Sequence, residues 1–67
     1  MSKGFVIPTD VYDESGDLTM IQFHDTTGKH VVDAMWDEND EQNSENRIIF
    51  RKWAYHMLKQ MDWEILQ

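Results

Sequence analysis

Residues 13–29, DESGDLTMIQFHDTTGK, contain the same turn pattern twice, and this repetition decides the fold. In each copy an aspartate, Asp13 or Asp25, is followed three residues later by a glycine, Gly16 or Gly28. Aspartate at the first position and glycine at the fourth are typical of a type I turn followed by a left-handed residue, which closes a three-residue hairpin loop. The pattern therefore predicts two hairpins that share the strand between them.

The segments that flank the two turns have the composition of strands. They are strand-length and rich in β-branched and aromatic residues. They comprise residues 4–12 (GFVIPTDVY), 18–24 (LTMIQFH) and 30–36 (HVVDAMW). We expect a three-stranded antiparallel meander in which Asp13 lies opposite Asp17 and Asp25 lies opposite Lys29.

A polar segment and then a helical pattern follow the meander. Residues 37–46, DENDEQNSEN, contain no apolar residue and predict an acidic polar loop leading into a helix, with Asp40 or Ser44 as its N-cap. Beyond it, apolar residues recur at the three- and four-residue spacing of an amphipathic helix, and we expect this stripe to be buried. The stripe consists of Ile49, Phe50, Trp53, Ala54, Met57, Leu58 and Met61.

The last residues, 62–67, either extend this helix or form a short strand. We favour the strand, because Asp62 can end a helix in the left-handed conformation. These elements predict a single domain, residues 1–67, of the α+β class. In it a three-stranded antiparallel meander is followed by one amphipathic helix and a short C-terminal strand, in the order β-β-β-α-β.

One helix covers only one face of a small sheet, and alternation makes both faces of this sheet substantially apolar. We expect the helix to cover Phe5, Ile7, Ile21, Phe23 and Val31. The other face would then expose Tyr12, Leu18, Met20 and Trp36, and exposed apolar patches of this kind usually mark interaction surfaces. The alternative is that loops or the C-terminal tail fold over this second face.

The charge of the chain favours a basic protein partner. The 67 residues include 13 acidic residues against 6 Lys and Arg, a net charge of −7, which opposes general affinity for nucleic acid. An apolar anchor beside carboxylates suits a basic protein surface, and Trp36 immediately precedes the acidic loop. The predicted partner-binding residues are Tyr12, Leu18, Met20, Trp36, Asp37, Glu38, Asp40 and Glu41.

Signatures of catalysis and of cofactor binding are lacking. There is no Cys, and the Ser and Thr residues of the turns have no base and orienting acid near them in sequence. His24 and His30 are expected opposite one another, but two ligands fall short of a zinc site. We therefore expect no enzyme activity, no cofactor and no metal. Since no apolar run approaches the ~20 residues of a membrane span, we expect a cytoplasmic protein.

Two functions are compatible with these features. The first is a small acidic, non-catalytic module that inhibits or modulates a larger protein by covering a basic surface of it, for example one that binds nucleic acid. In size and charge the chain is similar to the small acidic inhibitors that phages and mobile elements encode, a likeness of composition alone. The second is a homodimeric regulator that binds nucleic acid through a basic helix face. That face would consist of Arg47, Arg51, Lys52, His56 and Lys59.

Overall fold

The computed structural model describes residues 1–67 and confirms the α+β class and the β-β-β-α-β order. The elements are β1 (Gly4–Tyr12), β2 (Leu18–Asp25), β3 (His30–Met35), α1 (Ser44–Gln60) and β4 (Trp63–Ile65). The four strands form one sheet in the order β3-β2-β1-β4. The three strands of the meander pair antiparallel, and β4 pairs parallel to β1. The C-terminal strand thus converts the meander into a mixed sheet, and α1 packs on one face of it.

Both hairpin turns have the predicted geometry. The backbone N–H of Asp13 donates to the carbonyl of Asp17 at 2.9 Å, and Gly16 has a φ of 84°. Residues 25–29 repeat this arrangement, with a closing hydrogen bond of 2.9 Å and a φ of 90° at the glycine. Positive φ is where glycine has no steric penalty, so the repeated sequence produces a repeated turn.

The aspartate that opens each turn also fastens it. One carboxylate oxygen of Asp25 accepts the backbone N–H groups of Thr27 and Lys29 at 2.9 and 3.0 Å, and the Thr27 hydroxyl at 2.6 Å. The hydrogen bond from the Thr27 hydroxyl lowers the pKa of the Asp25 carboxyl. Asp13 accepts the two corresponding backbone donors in the first turn, so aspartate stabilises both loops through its side chain.

A β-bulge at the second hairpin changes which residues share a face. Phe23 pairs with Val32 and Ile21 pairs with Ala34, which leaves Val31 as the extra residue of β3. Because side chains alternate with a period of two, one extra residue transfers the rest of the strand to the opposite face. Val32 and Ala34 therefore lie on the same face as Ile21 and Phe23, whereas a hairpin paired without a bulge would place them on the opposite face.

The hydrophobic core lies between the sheet and α1. Its buried members are Val6, Ile21, Phe23, Ala34, Ala54 and Leu58. The predicted helix-covered set is correct for Ile21 and Phe23, and Val31 is partly buried against the core. It is wrong for Phe5 and Ile7, which are 50% and 42% exposed on the opposite face. Val6, one residue away from both, contributes to the core because the pairing of β1 with β2 has the opposite parity from the predicted one.

The boundaries of α1 are set by two polar residues. Asn43 is the N-cap, and its side-chain oxygen accepts the backbone N–H of Asn46 at 2.8 Å. The predicted caps, Asp40 and Ser44, are wrong, since Ser44 is already the first helical residue. At the other end Asp62 has a φ of 69°, which confirms the predicted left-handed stop and frees the following residues to join the sheet as β4.

Candidate functional site

An open cleft lies where the end of β3, the acidic loop and the first half of α1 meet. Its volume is 340 Å³. The lining residues are Met35 of β3, Asp37 and Asp40 of the loop, and Asn46, Ile49, Phe50 and Trp53 of α1. These three segments are separated in the sequence, and the packing of α1 on the sheet brings them together.

A row of three aromatic rings leads from the interior to this cleft. Trp36 packs edge to face on Phe50, with ring centroids 5.1 Å apart, and Phe50 stacks on Trp53 at 6.0 Å. The inner indole is 9% exposed, whereas the outer one, Trp53, is 52% exposed. The Trp36 indole N–H also donates to the carbonyl of Asp40 at 3.3 Å. The row therefore holds a large aromatic ring at the surface on a packed support.

The apolar side chains on one side of the cleft are exposed to solvent. Ile49 is 58% exposed, beside the half-exposed Trp53. In α1, Ile49 and Trp53 lie on adjacent turns, one position before Phe50 and Ala54, which face the sheet. The apolar stripe is thus wider than the sheet can cover, and its outer edge remains a patch of the kind that contacts other molecules.

The carboxylates of the acidic loop have no cationic partner. Asp37, Glu38, Asp40 and Glu41 are all exposed, and none lies within ion-pair distance of a Lys, Arg or His. One oxygen of Asp37 accepts the backbone N–H of Asn39 at 3.0 Å, which holds the loop in a turn. The loop consequently presents uncompensated negative charge beside the apolar patch.

The structure divides the predicted partner-binding residues into separate groups. Asp37 and Asp40 line the cleft. Glu38 lines a neighbouring hollow together with Asp40, Leu18 and Trp36, and Glu41 lies exposed in the same loop. Tyr12 is exposed at the C-terminal end of β1, and its hydroxyl donates to the carboxylate of Asp10 at 3.3 Å. Met20, half-buried, belongs to the uncovered face of the sheet. The predicted set is therefore not one continuous surface.

Two predicted partner-binding residues are buried, and their expected exposure is wrong. Leu18 is fully enclosed, and its backbone N–H and carbonyl bond to the Gln42 side chain at 3.1 and 2.8 Å. Trp36 is enclosed by the same loop and by Phe50. The loop and α1 thus enclose these two residues on the helix-covered side of the sheet. The alternative that loops or the C-terminal tail fold over the second face is not what encloses them, since Phe5 and Ile7 on that face remain exposed.

Trp53 takes the place predicted for Trp36 as the exposed aromatic residue beside the acids. The sequence placed Trp53 in the core because it lies in phase with Phe50, Ala54 and Leu58. The width of the stripe was the signal against this: Ile49 and Trp53 widen it beyond the row that one sheet face buries. The width of the stripe would also have identified Ile49 as an exposed residue.

The uncovered face of the sheet, which we call the open face, is a second exposed region. Its exposed apolar members are Phe5, Ile7 and Met35, and its polar members include Gln22 and Asp33. His24 and His30 lie there opposite one another as predicted, with ring centroids 5.5 Å apart. Polar side chains therefore lie between the apolar residues of the open face.

The two histidines of the open face are not part of a metal-binding cluster. The Nε2 of His30 lies 2.8 Å from a carboxylate oxygen of Asp33. No group of three or more His, Cys, Asp or Glu side chains is arranged to hold a metal ion.

Two of the five residues proposed for the basic helix face are engaged within the protein. Arg51 donates to the carboxylate of Asp10 at 2.7 Å, and this hydrogen bond raises the pKa of the guanidinium. Beside it, burial raises the pKa of the Tyr55 hydroxyl. Arg47 donates through Nε to the side chain of Gln42 at 3.2 Å. The exposed remainder of the basic face consists of Lys52, His56 and Lys59.

The fold and the cleft define a small α+β protein in which one helix packs on a four-stranded mixed sheet and leaves an acidic, apolar cleft at one end. None of its helices has the length and apolarity needed to cross a membrane. No family model, no curated protein and no solved structure matches this chain.

Proposed function

We propose that this protein is a small, non-catalytic interaction module that binds a basic surface of a larger protein through the cleft and thereby inhibits or modulates it. One observation carries the proposal. Two exposed apolar side chains, Ile49 and Trp53, line the same cleft as two carboxylates without cationic partners, Asp37 and Asp40.

The two components of the cleft have different physical roles in binding. Burial of Trp53 against a partner would supply affinity, because Trp is among the residues most enriched at binding hot spots. The carboxylates of the acidic loop would accelerate encounter with a basic surface and select it over neutral ones. Where that surface binds nucleic acid, the carboxylates would occupy the positions of phosphates and compete with them.

The proposal is tested by affinity capture of the tagged full chain at low and high salt. We expect one main partner, retained best at low salt, whose recovery falls at least about tenfold with Trp53→Ala and with Asp40→Lys. The matched controls are Phe5→Ala, an equally exposed aromatic residue on the open face, and Glu14→Lys, an exposed acid in the first turn. A partner that the cleft variants retain as well as the controls do would contradict the proposal.

The alternative function, a homodimer that binds nucleic acid through α1, is favoured by a single feature. Lys52, His56 and Lys59 are exposed and lie along one stripe of the helix. Its support is weaker, because Arg51 is engaged with Asp10 and the net charge is −7. Light scattering and a DNA-binding titration of Lys52→Ala/Lys59→Ala test it. A monomer that does not retain DNA would exclude this alternative.

A further inference from the structure

The cleft has the size for one long side chain. At 340 Å³ it lies at the lower end of the roughly 300–1,000 Å³ range of protein ligand pockets. It is open to solvent along one side and is not an enclosed cavity. A protruding side chain of a partner protein can therefore enter it without any rearrangement of the sheet or of α1.

The lining of the cleft is complementary to a cation on an aliphatic stem. Ile49 offers apolar surface to methylene groups, and the exposed indole of Trp53 offers a π face, which attracts cations. Asp40 accepts no hydrogen bond through its carboxylate, and only one oxygen of Asp37 is in use. Acceptors for a charged donor are thus available in the cleft.

The chain itself does not supply an arginine to this site. Arg51 is bonded to Asp10, and Arg47 is bonded to Gln42. The exposed basic residues elsewhere on the surface are lysines and histidines, so a second copy of this chain would not deliver a free guanidinium without breaking one of these contacts. The occupant must come from a different protein.

Arginine fits the cleft better than lysine does. A guanidinium is planar and weakly hydrated, stacks on aromatic faces, and presents a fork of N–H donors that matches carboxylates. A lysine ammonium is strongly hydrated and presents a point charge, which gains less from an indole face. The combination of one exposed Trp with two available carboxylates therefore selects the guanidinium.

We propose that the cleft is a receptor for an arginine side chain of the partner, with the guanidinium against the Trp53 indole and its N–H groups donating to Asp37 and Asp40. This inference rests on the proposed function and specifies the chemistry of the partner. The partner's interface accordingly contains an arginine that projects from a basic surface.

The test is an NMR titration of the ¹⁵N-labelled full chain with capped pentapeptides that carry one arginine, lysine or citrulline between pairs of glycines. We expect the arginine peptide to shift the indole N–H signal of Trp53 with a Kd on the order of millimolar. The citrulline peptide, which has nearly the same shape but no charge, should bind at least about tenfold more weakly. The indole of Trp63, outside the cleft, is the internal reference.

A pair of charge-removing variants assigns the site. Asp40→Asn should weaken binding of the arginine peptide about fivefold, since it removes one carboxylate from the guanidinium. Glu14→Gln removes the same charge from an exposed turn and should leave the Kd within about twofold. Equal effects of the two variants would show a response to net charge alone and would overturn the proposal.

Two further outcomes would also overturn it. They are equal affinity for the arginine and lysine peptides, and no shift of the Trp53 indole up to about 20 mM peptide. If cleft variants nevertheless abolish capture of the partner, the proposed function holds and only the arginine assignment fails. If the arginine peptide binds but capture is independent of Trp53 and Asp40, the proposed function fails.

Discussion

The two faces of the sheet both carry large apolar side chains, but only one is covered by α1. Ile21 and Phe23 are fully buried on the covered face, whereas Phe5 and Ile7 are about half exposed on the open face. All four residues come from strands of the same meander. Apolar composition therefore does not decide which strand residues form the core of this protein.

Parity and the position of the helix make the difference. The bulge at Val31 places Val32 and Ala34 beside Ile21 and Phe23, so one face acquires a continuous apolar surface. The open face has Gln22 and His24 between its apolar residues, which gives a helix less to pack against. A single extra residue in β3 thus contributes to the choice of face.

The difference between the two faces is tested most directly by replacing one phenylalanine on each of them. Phe23→Ala should lower the free energy of unfolding by about 3–5 kcal/mol, because it opens a cavity in the core, whereas Phe5→Ala should cost less than about 1 kcal/mol. Urea denaturation followed by circular dichroism measures both. Since the core is small, Phe23→Leu serves as a milder second variant with the same direction of effect.

Similar losses in the free energy of unfolding for Phe5→Ala and Phe23→Ala would contradict the expected difference between the two faces. That result would mean that the open face is covered in solution, by self-association or by the C-terminal residues. Light scattering of the same samples separates these two explanations.

The two ends of the aromatic row extend the comparison to α1. Trp36→Ala should lower the free energy of unfolding by about 3 kcal/mol, because the ring is buried against Phe50, and Trp53→Ala should cost less than about 1 kcal/mol. For retention of the partner we expect the larger direct effect from Trp53→Ala. If Trp53→Ala folds and keeps full partner binding while Trp36→Phe weakens binding, the binding site lies at the Trp36 end of the row and the assignment to Trp53 is wrong.

The smallest effects concern the two ion pairs. Arg51 and Asp10 link α1 to the sheet and are both partly buried, so Arg51→Gln should lower the free energy of unfolding by about 1 kcal/mol. His30 and Asp33 lie at the exposed edge of the open face, and His30→Gln should change it by less than about 0.5 kcal/mol. Thermal unfolding at low and high salt measures both. A larger loss for His30→Gln would show that the open face contributes more than its exposure indicates.

Local features of the fold could be predicted from the sequence because they depend on neighbouring residues. The two turns require aspartate at one position and glycine three residues later, and both have the expected geometry. Asp62 ends α1 in the left-handed conformation, also as predicted. The predicted N-cap residues were wrong. Several polar residues between Asp37 and Asn46 are chemically suitable as N-caps, and the sequence does not show at which of them the helix begins.

The candidate site could be predicted only in part. The acidic loop was identified from composition, and Asp37 and Asp40 do line the cleft. The aromatic residue of the cleft was not, because Trp36, which directly follows β3, and Trp53 in α1 are both apolar residues beside or within regular elements. Whether each is covered depends on how far α1 extends over the sheet, which no local pattern encodes.

The order of the elements, the two hairpin turns, the end of the helix and the negative charge of the loop can all be derived from the amino-acid sequence. Each of these follows from steric preferences, periodicity or ionisation within a short segment. Three features are visible only in the folded protein: the bulge at Val31 reverses the parity of β3, the loop covers Trp36 and Leu18, and Trp53 is exposed in the same cleft as Asp37. These outcomes depend on packing between segments distant in the chain, where a shift of one residue changes which side chains meet.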